Sequence, residues 1–245
     1  WPSQQDGIAK ALWVIDRMGC VLIGDAAGSG KTRQGAYLIQ ALVAKLVSQG
    51  QLTHLCTILC PPAVVNNWEN ETTFPGPQIT VKSLGLLKTK TKKSNQIQID
   101  KLLKNSNILV LDEAHNYHNL KTNRSQKLLD NLAQYLILLT ATPINRSSRD
   151  LLPLLNILGA DNLSDRGFKV LSKLINRRYV IDINDTELEE LRKEIRQFTV
   201  RRTIPQFKRY IERHPDKYKS KLGINCSYPE VENITYTMNE SEYLV

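Results

Sequence analysis

Three short runs in this sequence carry residue types that could act on a phosphoanhydride. The first is Gly24-Asp25-Ala26-Ala27-Gly28-Ser29-Gly30-Lys31-Thr32. Gly28 and Gly30 lack a Cβ, so backbone N–H groups around them can approach phosphate oxygens. Lys31 would set a positive charge against the β and γ phosphates, and the Thr32 hydroxyl could ligate Mg2+. The first glycine usual in such loops is replaced by Asp25. The second run is Asp112-Glu113-Ala114-His115, 81 residues beyond Lys31. Hydrolysis needs a metal and an in-line water: Asp112 can hold the one, and Glu113 can orient and deprotonate the other. Taken alone, Asp112 reads equally as a helix N-cap, and the phosphate loop upstream is what favours the catalytic role. The third run is Leu138-Leu139-Thr140-Ala141-Thr142-Pro143. In isolation its better reading is a plain turn with a capping threonine.

These runs need elements to bring them together. Cys20–Ile23 is a short apolar run of buried-strand type, ending at the glycine-rich turn. Residues 31–48 follow as a helix with Leu38, Leu42 and Leu46 inward. That strand–loop–helix context is the one a phosphate loop requires. Leu55–Cys60 reads as a second buried strand, stopped by Pro61-Pro62. Asn107–Leu111 and Tyr135–Leu139 read as two more, and Ile79–Ser83 as a further strand. Residues 4–18, 63–70, 97–103 and 121–133 read as helices between them. Strands alternating with helices predict an α/β fold, a doubly wound parallel sheet covered on both faces. Ligands of such sheets sit outside the carboxyl ends of the strands, so Thr140 and Thr142 would face the nucleotide or its acidic pair. After Pro143 the pattern changes to helices at about 148–158, 164–176 and 186–196, with a short strand Gln197–Val200. Residues 88–94 read as a lysine-rich exposed loop, and 213–229 as a polar linker.

Composition narrows the class further. The 245 residues are 41% hydrophobic and 23% charged, which is ordinary for a globular domain. No run approaches 18 apolar residues, so no membrane partner is expected. The four cysteines form no disulfide framework, and buried reduced thiols are favoured over a Cys56/Cys60 metal pair. The compartment expected is intracellular: cytoplasm or nucleoid in a bacterium, nucleus in a eukaryote. The chain opens on Trp1-Pro2-Ser3, without a leader or a Met, and reads as an excised piece. Its net charge is +9, and residues 166–221 hold 16 Lys/Arg against 8 Asp/Glu. A polyanion partner and a solvated helical face both account for that segment.

The three runs, in this order, resemble the first RecA-like lobe of superfamily-two helicases and translocases, and further details resemble the Swi/Snf-type remodelling ATPases. Asp25–Thr32 is similar to motif I of that family, whose first position is usually Asp. Trp1–Gly7 resembles its opening segment. Cys60–Glu71, with Trp68 and Glu71 three apart, resembles motif Ia, and Thr80–Leu84 a reduced motif Ib. Asp112–Asn119 is similar to motif II, with His118 where Lys or Arg is common. Leu139–Asn145 resembles motif III, and 149–159 the Leu-rich helix after it. Arg201-Arg202-Thr203 resembles the paired arginines near the end of the lobe, and Tyr228–Tyr243 the strand leading into a second lobe.

The resemblance implies a RecA-like P-loop sheet with a helical extension after motif III. It implies an ATP-binding core over 1–147, a helical protrusion and return over 148–212, and a linker or strand over 213–245. It implies ATP and Mg2+ as ligands, with Lys31, Asp112 and Glu113 catalytic. Gln4, Gly28, Ser29, Gly30, Lys31 and Thr32 would hold the nucleotide, and Thr32 and Asp112 the metal. His115, Thr140 and Thr142 would couple hydrolysis to motion. Pro61, Asn66, Asn67, Ser83, Arg201 and Arg202 would face nucleic acid, chiefly the backbone of double-stranded DNA. A second RecA-like lobe is expected as partner, because no Gln-x-x-Gly-Arg-x-x-Arg run occurs here, and the isolated lobe should be nearly inactive. Two other readings stand beside this one: a lobe of an RNA or single-strand helicase, and a non-hydrolysing interaction module.

Overall fold

The architecture follows from four buried apolar strands laid side by side in one direction. The computed structural model describes residues 1–51, 55–87, 93–117, 123–144, 150–159, 163–175, 184–220 and 222–228. Strands β1 (Cys20–Ile23), β2 (Leu55–Cys60), β3 (Gln78–Ser83), β4 (Ile108–Asp112), β5 (Tyr135–Leu139) and β6 (Thr199–Val200) form one sheet in the order β3-β2-β4-β5-β1-β6. Every pairing is parallel. In β1, β4 and β5 every residue is buried, as expected of a sheet covered on both faces. This is the doubly wound parallel sheet that the alternating strands and helices predict.

Helices α1 (Pro2–Met18), α2 (Lys31–Ser48), α3 (Val65–Glu71), α4 (Lys93–Asn105) and α5 (Asn123–Leu129) connect or flank these strands. On α2, Leu38, Leu42 and Leu46 recur every four residues and are wholly buried, so the helix lies on the sheet along one stripe. Helix α1 stops at Gly19, which takes the left-handed conformation (φ 67°) and donates its N–H back to Ile15. After β5 come α6 (Leu151–Leu158), α7 (Asp165–Ile175) and α8 (Asp185–Gln197). Helix α8 opens with a reciprocal cap between Asn184 and Glu187. The chain then returns to the sheet as β6, beside β1.

Trp1–Thr203 forms one compact unit and Ile204–Val245 a second. The second begins with α9 (Ile204–Arg213), which the sequence reading did not foresee. Its apolar residues Ile204, Phe207 and Ile211 make only a narrow stripe among Lys208, Arg209, Glu212 and Arg213. In this unit Phe207 stacks on Tyr228, with centroids 5.6 Å apart. The span read as a linker contains a 3-10 turn, Pro215–Lys217, and a bridge between Lys219 and Asn225. Lys93 and Ser94, read as loop, are the first residues of α4. Expectations for Lys88, Lys90, Lys92, His118, Asn145 and the strand beyond Tyr228 lie outside the described residues.

Among the described residues no helix is long and apolar enough to cross a membrane. Cys20, Cys56 and Cys60 are buried free thiols. Burial pushes the Cys60 thiol up to about 12 and raises Cys56 as well.

Candidate active site

Because the strands run parallel, their carboxyl ends share one edge of the sheet. The register places Ile23 beside Leu139, Leu139 beside Asp112, and Ile23 beside Val200. The phosphate loop leaves β1, Asp112 ends β4 and Thr140 follows β5. Three runs spread over more than a hundred residues thus meet on adjacent strand tips.

The loop is shaped by its glycines. Gly28 and Gly30 have φ of 76° and 77°, a region that side chains with a Cβ rarely enter. A Cβ on Gly30 would also run into the Gln4 amide. Gly30 opens α2, an 18-residue helix with no acidic residue in its first turn, so its N-terminal dipole is left for an anion. The Ser29 hydroxyl is buried in the loop without a hydrogen-bond partner, an orphan that a phosphate oxygen would satisfy. Lys31 Nζ donates to the carbonyls of Asp25 (3.1 Å) and Ala26 (3.2 Å). A cleft of ≈ 460 Å³ beside the loop is lined by Gln4, Gly30, Thr32, Arg33, Asn67 and Glu71, among others.

The acidic pair is held differently at its two members. Asp112 is buried; its Oδ1 accepts the Glu113 N–H (2.9 Å) and its Oδ2 the Trp68 indole N–H (2.8 Å). Glu113 has φ of 50°, a conformation uncommon outside glycine, and strain of this kind gathers at functional sites. Its carboxylate lies 3.2 Å from His115 Nδ1, which is 3.1 Å from Thr140 Oγ1. Thr140 Oγ1 accepts the Thr142 N–H, and the Thr140 N–H donates to Ile23 O at the tip of β1. The three residues expected to couple, His115, Thr140 and Thr142, therefore form one chain of contacts from Glu113 to β5. Thr142 itself is exposed.

The electrostatics favour a ligand carrying both signs. Burial pushes the Lys31 ammonium below its ordinary range, against the pull of Glu113, Asp25 and Asp112. Burial raises the Asp112 carboxyl, against the Trp68 and Glu113 N–H groups. Lys31 and Asp112 attract each other, but at both groups burial outweighs that attraction, which suits a phosphate at one and a cation at the other. With Thr32 and Asp112 as hard oxygen donors, the residues fit Mg2+ and a nucleotide.

Asp25 and Arg202 have a role that spacing alone did not reveal. Asp25 is fully buried and takes the Arg202 backbone N–H at 2.8 Å and its Nε at 3.2 Å, with Nη2 also on Oδ2. The same guanidinium bonds Gln34 Oε1 (2.7 Å) and the Ser3 carbonyl. Ala26 N–H returns a bond to the Arg202 carbonyl (3.3 Å). The acid that replaces the usual glycine thus fastens the phosphate loop to the segment just past β6. Arg202 is 4% exposed, so the expectation that it faces nucleic acid is corrected: its donors are consumed inside. Gly7 is part of the same device. A Cβ there would collide with Arg202 Nη2 and Gln34 Oε1, and stand 2.8 Å from Arg202 Cζ. Gly→Ala inside a helix ordinarily stabilises by up to about 1 kcal/mol. Gly7→Ala is expected to do the opposite and destabilise by about 1–3 kcal/mol through overpacking, read from urea denaturation.

The remaining nucleic-acid expectations divide. Pro61 and Ser83 follow or end β2 and β3 at one side of the sheet, and Asn66 and Asn67 are exposed on α3 nearby. Asn67 also lines the cleft with Thr32. Arg201 is exposed beside Gly24, past β6 at the opposite side. Five strand spacings, about 24 Å, separate β3 from β6, so Arg201 does not join the others. Two positions that the sequence reading noted only as family marks belong to the site. Trp68 bonds Asp112, and Glu71 takes Arg33, next to Thr32, in a two-pronged pair of 2.7 Å and 3.0 Å.

The chain is similar to known proteins. A family described as SNF2-related domain matches residues 72–244. Chromodomain-helicase-DNA-binding protein 1-like of Mus musculus is 26% identical over 208 residues, covering 77% of this chain and 22% of that protein. Helicase SWR1 of Cryptococcus neoformans is 32% identical over 194 residues, 68% of this chain and 15% of that one. The chain thus spans about a fifth or less of the length of these curated relatives. Among solved structures, a Sulfolobus solfataricus SWI2/SNF2 ATPase core in complex with dsDNA matches with a TM-score of 0.60 and 22% identity, over 82% of this chain and 44% of that one. That likeness speaks to the RecA-like fold.

Proposed function

The chain belongs to the SNF2-related family as the first lobe of a Swi/Snf-type ATPase, and on that premise we propose that it binds Mg-ATP and forms half of a double-stranded DNA translocase. The observation that carries this reading is the convergence of the phosphate loop, the Asp112–Glu113 pair and Thr140 on three neighbouring strand tips. In this proposal Gly28, Ser29 and Gly30 present donors to the phosphates, Lys31 and the α2 N-terminus add charge, and Gln4 stands at the nucleotide's edge. Thr32 and Asp112 would hold Mg2+, which when bound neutralises charge on the β and γ phosphates. Glu113 takes the proton of the attacking water. Its contact to His115, and from there to Thr140, passes a change at the γ-phosphate into β5. Catalysis stays incomplete in this lobe. Arginine fingers from a second lobe, worth about 10³–10⁵ in rate in related phosphoryl transfers, would have to complete the site.

For DNA, the support is the relative solved with dsDNA and the placement of Pro61, Asn66, Asn67 and Ser83 at one end of the edge. Contacts of this type read backbone charge and shape rather than base sequence. An intracellular setting, nuclear if the source is eukaryotic, accompanies this reading. The test is ATP hydrolysis by the full-length polypeptide with duplex DNA, single-stranded DNA or RNA, and by this chain alone. Stimulation by duplex DNA with near-inactivity of the isolated chain is expected. Stimulation by RNA instead would favour a strand-separating helicase, and an inert full-length protein an interaction module. Brisk turnover by these 245 residues alone would end the half-motor reading.

A further inference from the structure

We infer that Trp68 is the positioning residue for Asp112, and that α3 serves the site by carrying it there; this rests on the nucleotide reading above. The indole Nε1 donates to Oδ2 at 2.8 Å while the Glu113 N–H occupies Oδ1 at 2.9 Å. With one donor on each oxygen, the carboxylate plane is set. Each oxygen still has a free lone-pair direction for a cation. The donor is neutral, so it orients the anion without cancelling its charge. A lysine or arginine in that place would compete with the metal.

The seat of Trp68 is built from three elements. The side chain is wholly buried. Its ring edge lies against Gly35 of α2, where a Cβ would stand 2.6 Å from the tryptophan's Cη2 and 3.2 Å from Leu139 of β5. Gly35 is therefore the notch that admits the ring, and β4 supplies the carboxylate it reaches. At the far end of the same seven-residue helix, Glu71 grips Arg33. That pair is half exposed and adds little stability, but it fixes α3 to the residue next to Thr32. One short helix thus ties together the two proposed metal ligands. A buried indole N–H needs some acceptor, and a backbone carbonyl would satisfy it. That it meets the one carboxylate proposed to hold the metal is what separates positioning from packing. Partners that orient a metal ligand typically change metal affinity about 10–100-fold when removed.

The test measures Mn2+ binding to the ADP-loaded chain by electron paramagnetic resonance. Trp68→Phe is expected to weaken Mn2+ about tenfold or more, with ADP affinity in EDTA unchanged within about twofold. In an Asp112→Asn background the same substitution should have no further effect, since the group it positions is gone. Incorporating 3-benzothienylalanine at position 68 keeps the ring shape against Gly35 and deletes only the N–H, and it should reproduce the loss. The inference is overturned if Mn2+ affinity survives the benzothienyl replacement. It is equally overturned if the Trp68 and Asp112 effects multiply, or if metal-free ADP binding falls as much as metal binding. A wild-type chain whose ADP binding is indifferent to Mn2+ would instead sink the nucleotide reading itself, and this inference with it.

Discussion

Arg202→Ala is expected to cost the lobe about 3–5 kcal/mol of folding stability, because it leaves the Asp25 carboxylate buried without its cation. Asp25 has no exposure to water, and four Arg202 contacts to Asp25, Ser3 and Gln34 come from the guanidinium that would be removed. Only the backbone N–H of residue 202 would remain on Asp25 Oδ1. Arg201→Ala, its exposed neighbour, should change stability by no more than about 0.5 kcal/mol. Urea denaturation of the three proteins measures both values. The double replacement of Asp25 and Arg202 by alanine should cost less than the two single costs added, because the stranded charge is gone. If Arg202→Ala melts like wild type and instead weakens DNA binding, the guanidinium faces solvent in solution and the buried clamp is wrong. The phosphate loop should register the loss too, since Ala26 and Asp25 are both bonded to residue 202. Nucleotide affinity is therefore expected to fall along with stability.

Glu113→Gln is expected to lower kcat of the full-length enzyme by about 10²–10⁴, the usual worth of a general base. The amide keeps the size of the side chain and a polar atom for His115, now 3.2 Å from the carboxylate. It cannot take a proton. Nucleotide affinity should stay within about twofold, so that kcat and kcat/KM fall together, the pattern of an interaction made only in the transition state. Lys31→Ala supplies the contrast: it removes charge from the phosphates in ground and transition state alike, so binding and turnover should both suffer. Single-turnover hydrolysis beside equilibrium nucleotide binding separates the two cases. A Glu113→Gln enzyme that turns over within about threefold of wild type would place the base elsewhere, since a loss that small is under 1 kcal/mol.

Much of this site is legible in the amino-acid sequence. A phosphate loop is a local device: the glycines, the lysine, the hydroxyl and the helix they open are consecutive, and each acts through its immediate backbone. The strands were legible for the same reason. Residues such as Val110 and Ile137 sit in unbroken apolar runs because both faces of a parallel strand are covered. The run Asn107–Leu111 leads into Asp112, which pairs in register with Leu139 at the end of β4. Helix α9 was missed because its apolar stripe is narrow and its charges dominate the composition.

What composition and spacing could not reach are the contacts between residues far apart in the chain. Arg202 follows an arginine and precedes a threonine in a basic segment, and nothing local distinguishes it from Arg201. One of the two points outward and the other into the sheet, because successive residues of an extended chain face opposite sides. Its partner Asp25 lies 177 residues away. In the same way Trp68, 44 residues before Asp112, is only a family mark until α3 and β4 are packed together around Gly35. The linear chain therefore sets the chemistry each loop can do and the strands that carry it. Which buried donor meets which buried acceptor is decided only when the sheet closes, because desolvation makes every unpaired polar group costly and leaves few arrangements that pair them all.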